Sequence, residues 1–130
     1  MAVYLLGSVY RDRGDVPYAL DRYHEALELS DTTEANADYK MLAKIYGQMY
    51  ILYDKVFLPE LEIEAARKCG EMCLKDKDTL SYIVMQGTLA HPYAHMGYDT
   101  LALKTMENAM REYSKYNMEA HSLYEVLEAS

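Results

Sequence analysis

The sequence predicts an all-α protein of antiparallel helix hairpins, about seven helices in all. Three observations carry this. Apolar residues recur three and four apart almost everywhere, and strand-like alternation is absent. Helix breakers are few, six Gly and three Pro in 130 residues, and Gly14, Pro17, Pro59 and Gly97 fall where apolar stripes stop or start. The breaks are short, which makes successive helices antiparallel neighbours.

Each element follows in order. Val3, Leu6, Gly7 and Tyr10 form the first stripe, which Gly14-Asp15 ends. Val16, Ala19, Leu20, Tyr23, Ala26 and Leu27 form the second, and Pro17 suits a first helical turn. Ser30-Asp31-Thr32-Thr33 is a polar connection in which Thr33, followed by Asn36, offers N-cap chemistry. A long stripe of Tyr39, Leu42, Ala43, Tyr46, Met49, Tyr50 and Tyr53 runs to about Lys55. Pro59 opens the next helix, with Leu61, Ala65, Ala66, Cys69, Met72 and Cys73 inward, and Lys75-Asp76-Lys77-Asp78 closes it. Leu80 to Met96 reads as one helix with an internal Pro92, and Gly97-Tyr98-Asp99 turns the chain. Ala102, Met106, Ala109 and Tyr113 carry a helix to about Lys115, and a last amphipathic one runs from Met118 to about Ala129.

The chain is long enough for one domain and apolar enough to bury a core. Net charge is −8 with no cluster of Lys and Arg, which argues against direct nucleic-acid binding and against anionic membranes. No run of 18 apolar residues spans a membrane, and no leader precedes the first helix, so the expected compartment is the cytoplasm. Cys69 and Cys73 share a helical face and read as reduced thiols, because two cysteines make no disulfide framework. The chain has 14 Tyr, one Phe and no Trp. Tyrosine fills a core with its ring while its hydroxyl stays at a wet edge, which suits a thin structure.

The segments also repeat. Leu6-Gly7, Tyr10, Gly14, Ala19, Tyr23 and Ala26 match Leu89-Ala90, Tyr93, Gly97, Ala102, Met106 and Ala109 at a constant offset of 83 residues. Leu42-Ala43 with Tyr46 gives a further first helix, and Leu123-Tyr124 with Leu127 starts another. This pattern resembles the tetratricopeptide repeat, a helix-turn-helix unit of about 34 residues with a Leu-Gly pair, an aromatic, a turn Gly, then Ala, aromatic, Ala. The resemblance implies a single tetratricopeptide-like α-solenoid over 1–130, with repeats at about 1–33, 34–77 and 78–116 and a terminal helix at 117–130. Ala90 and Met106 depart from the pattern at two stations. Small residues at matched stations let helix axes approach to the lower end of about 8–10 Å.

The middle unit departs further. Gly7 to Ala19 and Ala90 to Ala102 are each 12 residues, but Ala43 to Ala65 is 22. The ten extra residues lengthen the hairpin by roughly a turn and a half on each arm. The added stretch "YILYDKVFLPEL" is apolar for a loop tip, so it is either a longer self-packed hairpin or a docking or homodimer ridge. The only partly polar terminal helix fits either a longer repeat array or self-association.

The solenoid implies a protein- or peptide-binding scaffold with a concave groove along its first helices. By position the groove takes Tyr4, Ser8, Arg11 and Asp12; Lys40, Lys44, Gly47 and Gln48; Gly87, His91, Ala94 and His95; and His121 and Glu125. Lys40, Lys44, His91 and His95 make the middle of that strip basic, which suits an acidic or C-terminal peptide. The chaperone-tail clamp of some repeat proteins needs more cationic positions than Lys40 and Lys44 provide. The tyrosine-rich middle unit is similar to repeat regions of bacterial regulatory proteins, so a sensor or oligomerisation module is the alternative.

Chemistry is sparse. His91 and His95 have metal-pair spacing, as do Cys69 and Cys73, and a Cys2His2 zinc site is conceivable on antiparallel helices. The repeat pattern argues against it, because it places the histidines in the groove and Cys69 in the packed stripe. No cofactor and no metal ligand is therefore assigned. No nucleophile motif, phosphate loop or carboxylate pair is visible, so no enzymatic activity is expected. Pro92 removes a backbone donor and frees the Thr88 carbonyl, at about 3 kcal/mol unless compensated.

Overall fold

The computed structural model describes residues 1–30 and 35–129, with side chains described as far as Glu119. The described residues form α1 (Ala2–Asp12), α2 (Val16–Leu29), α3 (Tyr39–Lys55), α4 (Pro59–Lys75), α5 (Thr79–Thr88), α6 (Ala90–His95) and α7 (Asp99–Ala129). α5 and α6 are two pieces of one rod interrupted at Leu89, so the seven segments make six rods. Packing is sequential: α1 on α2, α2 on α3, α3 on α4, α4 on α5 and α6, and both of these on α7.

Four connections share one turn. Gly14, Phe57, Lys77 and Gly97 all have positive φ, at 78°, 58°, 61° and 84°. After each, the next amide bonds back across the turn: Asp15 to Tyr10, Leu58 to Tyr53, Asp78 to Cys73 and Tyr98 to Tyr93, at 2.9–3.0 Å. These are the orphaned carbonyls of a helix end, satisfied by a left-handed residue. Two turns use Gly, which adopts that backbone freely. The other two force Phe57 and Lys77 into it.

The core forms where α1–α2 meets α3–α4. Ala19, Tyr23, Ala26, Ile45, Met49, Leu52, Tyr53 and Ala65 make one buried cluster. Small residues lie where the hairpin reading puts them: Gly7, Ala19, Ala26, Ala90, Ala102 and Ala109 are all buried. A Cβ on Gly7 would lie 2.9 Å from Cε1 of Tyr23, so α1 rests directly on that ring. The tyrosines behave as the composition suggested. Tyr23 and Tyr53 bury their rings, while their hydroxyls pair with Ser8 Oγ at 3.0 Å and His24 Nε2 at 3.2 Å.

The structure corrects several sequence expectations. α3 begins at Tyr39 and is capped by Asp38, whose carboxylate accepts from the Met41 amide at 3.0 Å; Thr33 lies outside the described residues. Leu80–Met96 is not one helix. The break at Leu89 puts Pro92 in the first turn of α6, where an amide has no helical partner to lose, and Pro92 is buried. No break separates Lys115 from Met118, because no Gly or Pro stands there to end the helix, and α7 runs 31 residues. Leu61 faces outward and Glu62 takes the buried station beside Ala65 and Ala66.

The middle hairpin is longer than the first but not than the third. The third's first rod, 79–95, matches α3 in length, and its second, α7, is longer than α4. The ten-residue lengthening read from the sequence is therefore not seen. α3 and α4 have 17 residues each, against 11 and 14 in α1 and α2. Its tip exposes Val56, Phe57 and Leu58, with Phe57 at 76%.

Candidate functional site

The expected groove residues fall into two side-chain groups. On α1, Ser8 Oγ bonds the Tyr23 hydroxyl and donates to the Tyr4 carbonyl at 3.3 Å. Arg11 donates to Gln48 of α3 and pairs with Asp12 at 2.9 Å. The second group joins α3 to α6: His91 Nε2 lies 3.0 Å from Asp54 Oδ1, and the His91 and His95 ring centroids are 4.2 Å apart. Lys40 and Lys44 are exposed on the N-terminal part of α3, before Gln48 and Asp54, and form no ion pair among the described residues. Ala94 is exposed beside the histidines. Gly87 does not line the strip: a Cβ there would lie 3.0 Å from that of Ala109, so it faces α7. The side chains of His121 and Glu125 lie outside the described residues.

The Asp54–His91–His95 group is the chemically densest place on the described surface. One donor atom from each of the three lies within 4.8 Å of the others. Asp54 comes from the last turn of α3, and the histidines from successive turns of α6. Asp54 stands one residue before the end of α3.

Beneath them sits Glu62, the one charged residue buried among the described side chains, at 1% exposure. Its Oε2 has no hydrogen-bond partner. Burial pushes its carboxyl up to about 7; the Asp54 carboxylate pushes it the same way, and His91 opposes them. Glu62 is therefore close to both residues. Burial, followed by the Glu62 charge, also raises the Tyr50 phenol.

The cysteines are elsewhere. Cys69 donates its thiol to the Ala43 carbonyl at 3.3 Å, and burial pushes that thiol up to about 12. Both cysteines are free and buried, and neither belongs to a metal-capable group among the described residues. The Cys2His2 combination is thus not assembled.

A broad cleft lies away from the strip. About 810 Å³ opens between α4, α5 and α7, bridged by Arg67 donating to the Tyr93 hydroxyl at 2.9 Å. None of the expected groove residues lines it.

Asp54 and Glu62 are the site residues that sequence reasoning passed over. Asp54 had no local signal, since its partner is 37 residues away. Glu62 had one: it stands three and seven residues before Ala65 and Cys69, in register with the buried stripe. No helix among the described residues is long and apolar enough to cross a membrane. Comparison with family models, curated proteins and solved structures finds no match.

Proposed function

We propose that the protein is a tetratricopeptide-like α-solenoid acting as a non-enzymatic scaffold, with the strip along its first helices holding a protein or peptide ligand. One observation carries the reading. Arg11–Gln48 bridges α1 and α3 and Asp54–His91 bridges α3 and α6, which supports a row made of the first helices of successive hairpins. The burial of Gly7, Ala19, Ala90 and Ala102 supports it too, because close approach at repeated stations is what aligns such rows. Tyr4, Ser8, Arg11, Lys40, Lys44, Gln48, His91, His95 and His121 are its groove residues. The exposed Lys40 and Lys44 make acidic or C-terminal peptides the matching ligand class. Two free thiols suit a reducing compartment such as the cytoplasm.

An array of acidic and free-carboxylate peptides tests this. Bound peptides should lose about tenfold or more affinity to Lys40→Glu/Lys44→Glu and little to Lys104→Glu on α7. Equal losses in both variants would place the ligand off the strip.

A second reading is the sensor or oligomerisation module of a larger regulator. The favouring observation is apolar exposure on both outer helices: Leu5 and Val9 on α1, Leu103 and Met110 on α7. Sedimentation tests it, since a strictly monomeric chain at high concentration removes it.

A further inference from the structure

We propose that Asp54, His91 and His95 form a binding site for a divalent transition metal of the zinc class, with the buried carboxylate of Glu62 behind them balancing its charge. The site does not depend on what the strip of first helices binds.

Geometry is the first argument. Two donors on one tetrahedral ion, each about 2.0–2.1 Å from it, stand about 3.3 Å apart. His91 Nε2 and Asp54 Oδ1 are already 3.0 Å apart. The third donor is within 4.8 Å of both, and it belongs to His95, an exposed side chain free to rotate inward. His91 and His95, four apart on a helix, present their rings side by side, as a shared ion requires.

The second argument is independent of the histidines. A buried carboxylate oxygen without a hydrogen bond is costly, and native interiors rarely leave one. Glu62 Oε2 is such an atom, and the Asp54 carboxylate is close enough to act on it. Two adjacent carboxyl groups hold either a proton or a cation between them. His91 supplies one charge at most, whereas a divalent ion neutralises both.

Donor chemistry selects the ion. Two imidazole nitrogens with one or two carboxylate oxygens suit zinc and its neighbours, while magnesium and calcium prefer oxygen alone. Three protein donors leave a coordination position for water, and the half-exposed Asp54 and His91 keep that position open to solvent. On binding, His91 exchanges its Nε2 contact with Asp54 for the metal, and the proton on that nitrogen moves to Nδ1 or to water. The metal would join the last turn of α3 to α6.

Cobalt(II) titration of the full chain, freed of metal by chelator and followed by visible absorption, tests the site. The expected result is one equivalent bound with intense low-symmetry bands, displaced by zinc and not by millimolar magnesium. His95→Ala, exposed and harmless to packing, should abolish the bands while circular dichroism is unchanged. Glu62→Gln should weaken binding by about 10–100-fold, the usual effect of removing a supporting group. His24→Ala, on α2, should leave the titration as it was. The proposal is overturned by an absence of bands at saturating cobalt, by bands that survive in His95→Ala, by magnesium competing as well as zinc, or by unchanged affinity in Glu62→Gln.

Discussion

Tyr23 on α2 and Met106 on α7 hold the same station of two hairpins, 83 residues apart. Around them the hairpins agree closely. Gly14 and Gly97 turn with the same backbone, and Ala19, Ala26, Ala102 and Ala109 are buried in both. Yet Tyr23 is fully buried and Met106 is 44% exposed. α2 is covered by α1 on one side and α3 on the other, whereas α7 has only the α5–α6 rod and nothing described on its outer side. Local sequence sets a residue's station; the neighbouring hairpin sets whether that station is core. The sharpest way to break this comparison is truncation at both stations. Tyr23→Ala should cost about 3–5 kcal/mol in urea denaturation, as large-to-small changes of buried aromatics do. Met106→Ala should cost about 1 kcal/mol or less. Equal costs would mean that a partner covers the outer face of α7 in solution.

A second contrast lies between the first hairpin and the middle one. Three residues before the buried alanine, α2 carries Val16 and α4 carries Glu62. Val16 packs on the core; Glu62 is buried with an orphaned oxygen. An ordinary glutamate titrates near 4.5, and here burial and Asp54 hold the carboxyl up to about 7 against the opposing His91, with Tyr50 facing the same group. The folded state thus prefers the protonated form. That preference stabilises fully below the ordinary value and is lost as pH rises through 7. With chelator present, the chain should lose about 3 kcal/mol between pH 4.5 and pH 8, and Glu62→Gln, which stays neutral, should not. Parallel stability curves for the two proteins would refute the burial of a proton at this station.

These contrasts also mark what the sequence made legible. Small residues could be read because one atom too many at Gly7 or Ala26 collides wherever the chain runs, so the constraint lives in single letters. Gly14 and Gly97 announce their turns for the same reason. The identical turns at Phe57 and Lys77 lack that letter and were recognisable only from Pro59 and the charged Lys75–Asp78 run. His91 and His95 were visible as a pair because helical spacing is local. Asp54 reaches them only through a side-chain contact between α3 and α6, which no local pattern records. Glu62 was masked by Leu61, the more apolar of two adjacent candidates, because hydropathy cannot weigh what a buried acid gains from neighbours distant in sequence.

Overpacking sharpens the first comparison from the other side. Ala26 lies in the main core, and Ala109 abuts the Gly87 backbone. Ala26→Leu and Ala109→Leu should each cost about 1–3 kcal/mol. Equality is the informative outcome here, because both alanines face inward whatever covers the outer side of α7. A harmless Ala109→Leu, with Ala26→Leu damaging, would mean that the last hairpin is held more loosely than the first.

The smallest effects separate the four turns. Gly14 and Phe57 occupy the same left-handed position with the same hydrogen bonds behind them. An L side chain there costs about 1–2 kcal/mol, and glycine costs none of it. Gly14→Ala should therefore destabilise by about 1 kcal/mol, although nothing lies within 4 Å of the added methyl. Phe57→Gly should stabilise by about 0.5 kcal/mol, the strain relieved less the greater freedom glycine gains on unfolding. Phe57 is exposed and fills no core, so packing offers no compensation for losing its ring. If Phe57→Gly instead destabilises the chain by as much as Gly14→Ala does, the ring at the tip has a contact in solution. The middle hairpin would then end in an interface, and the strain at Phe57 would serve to aim its ring at that partner.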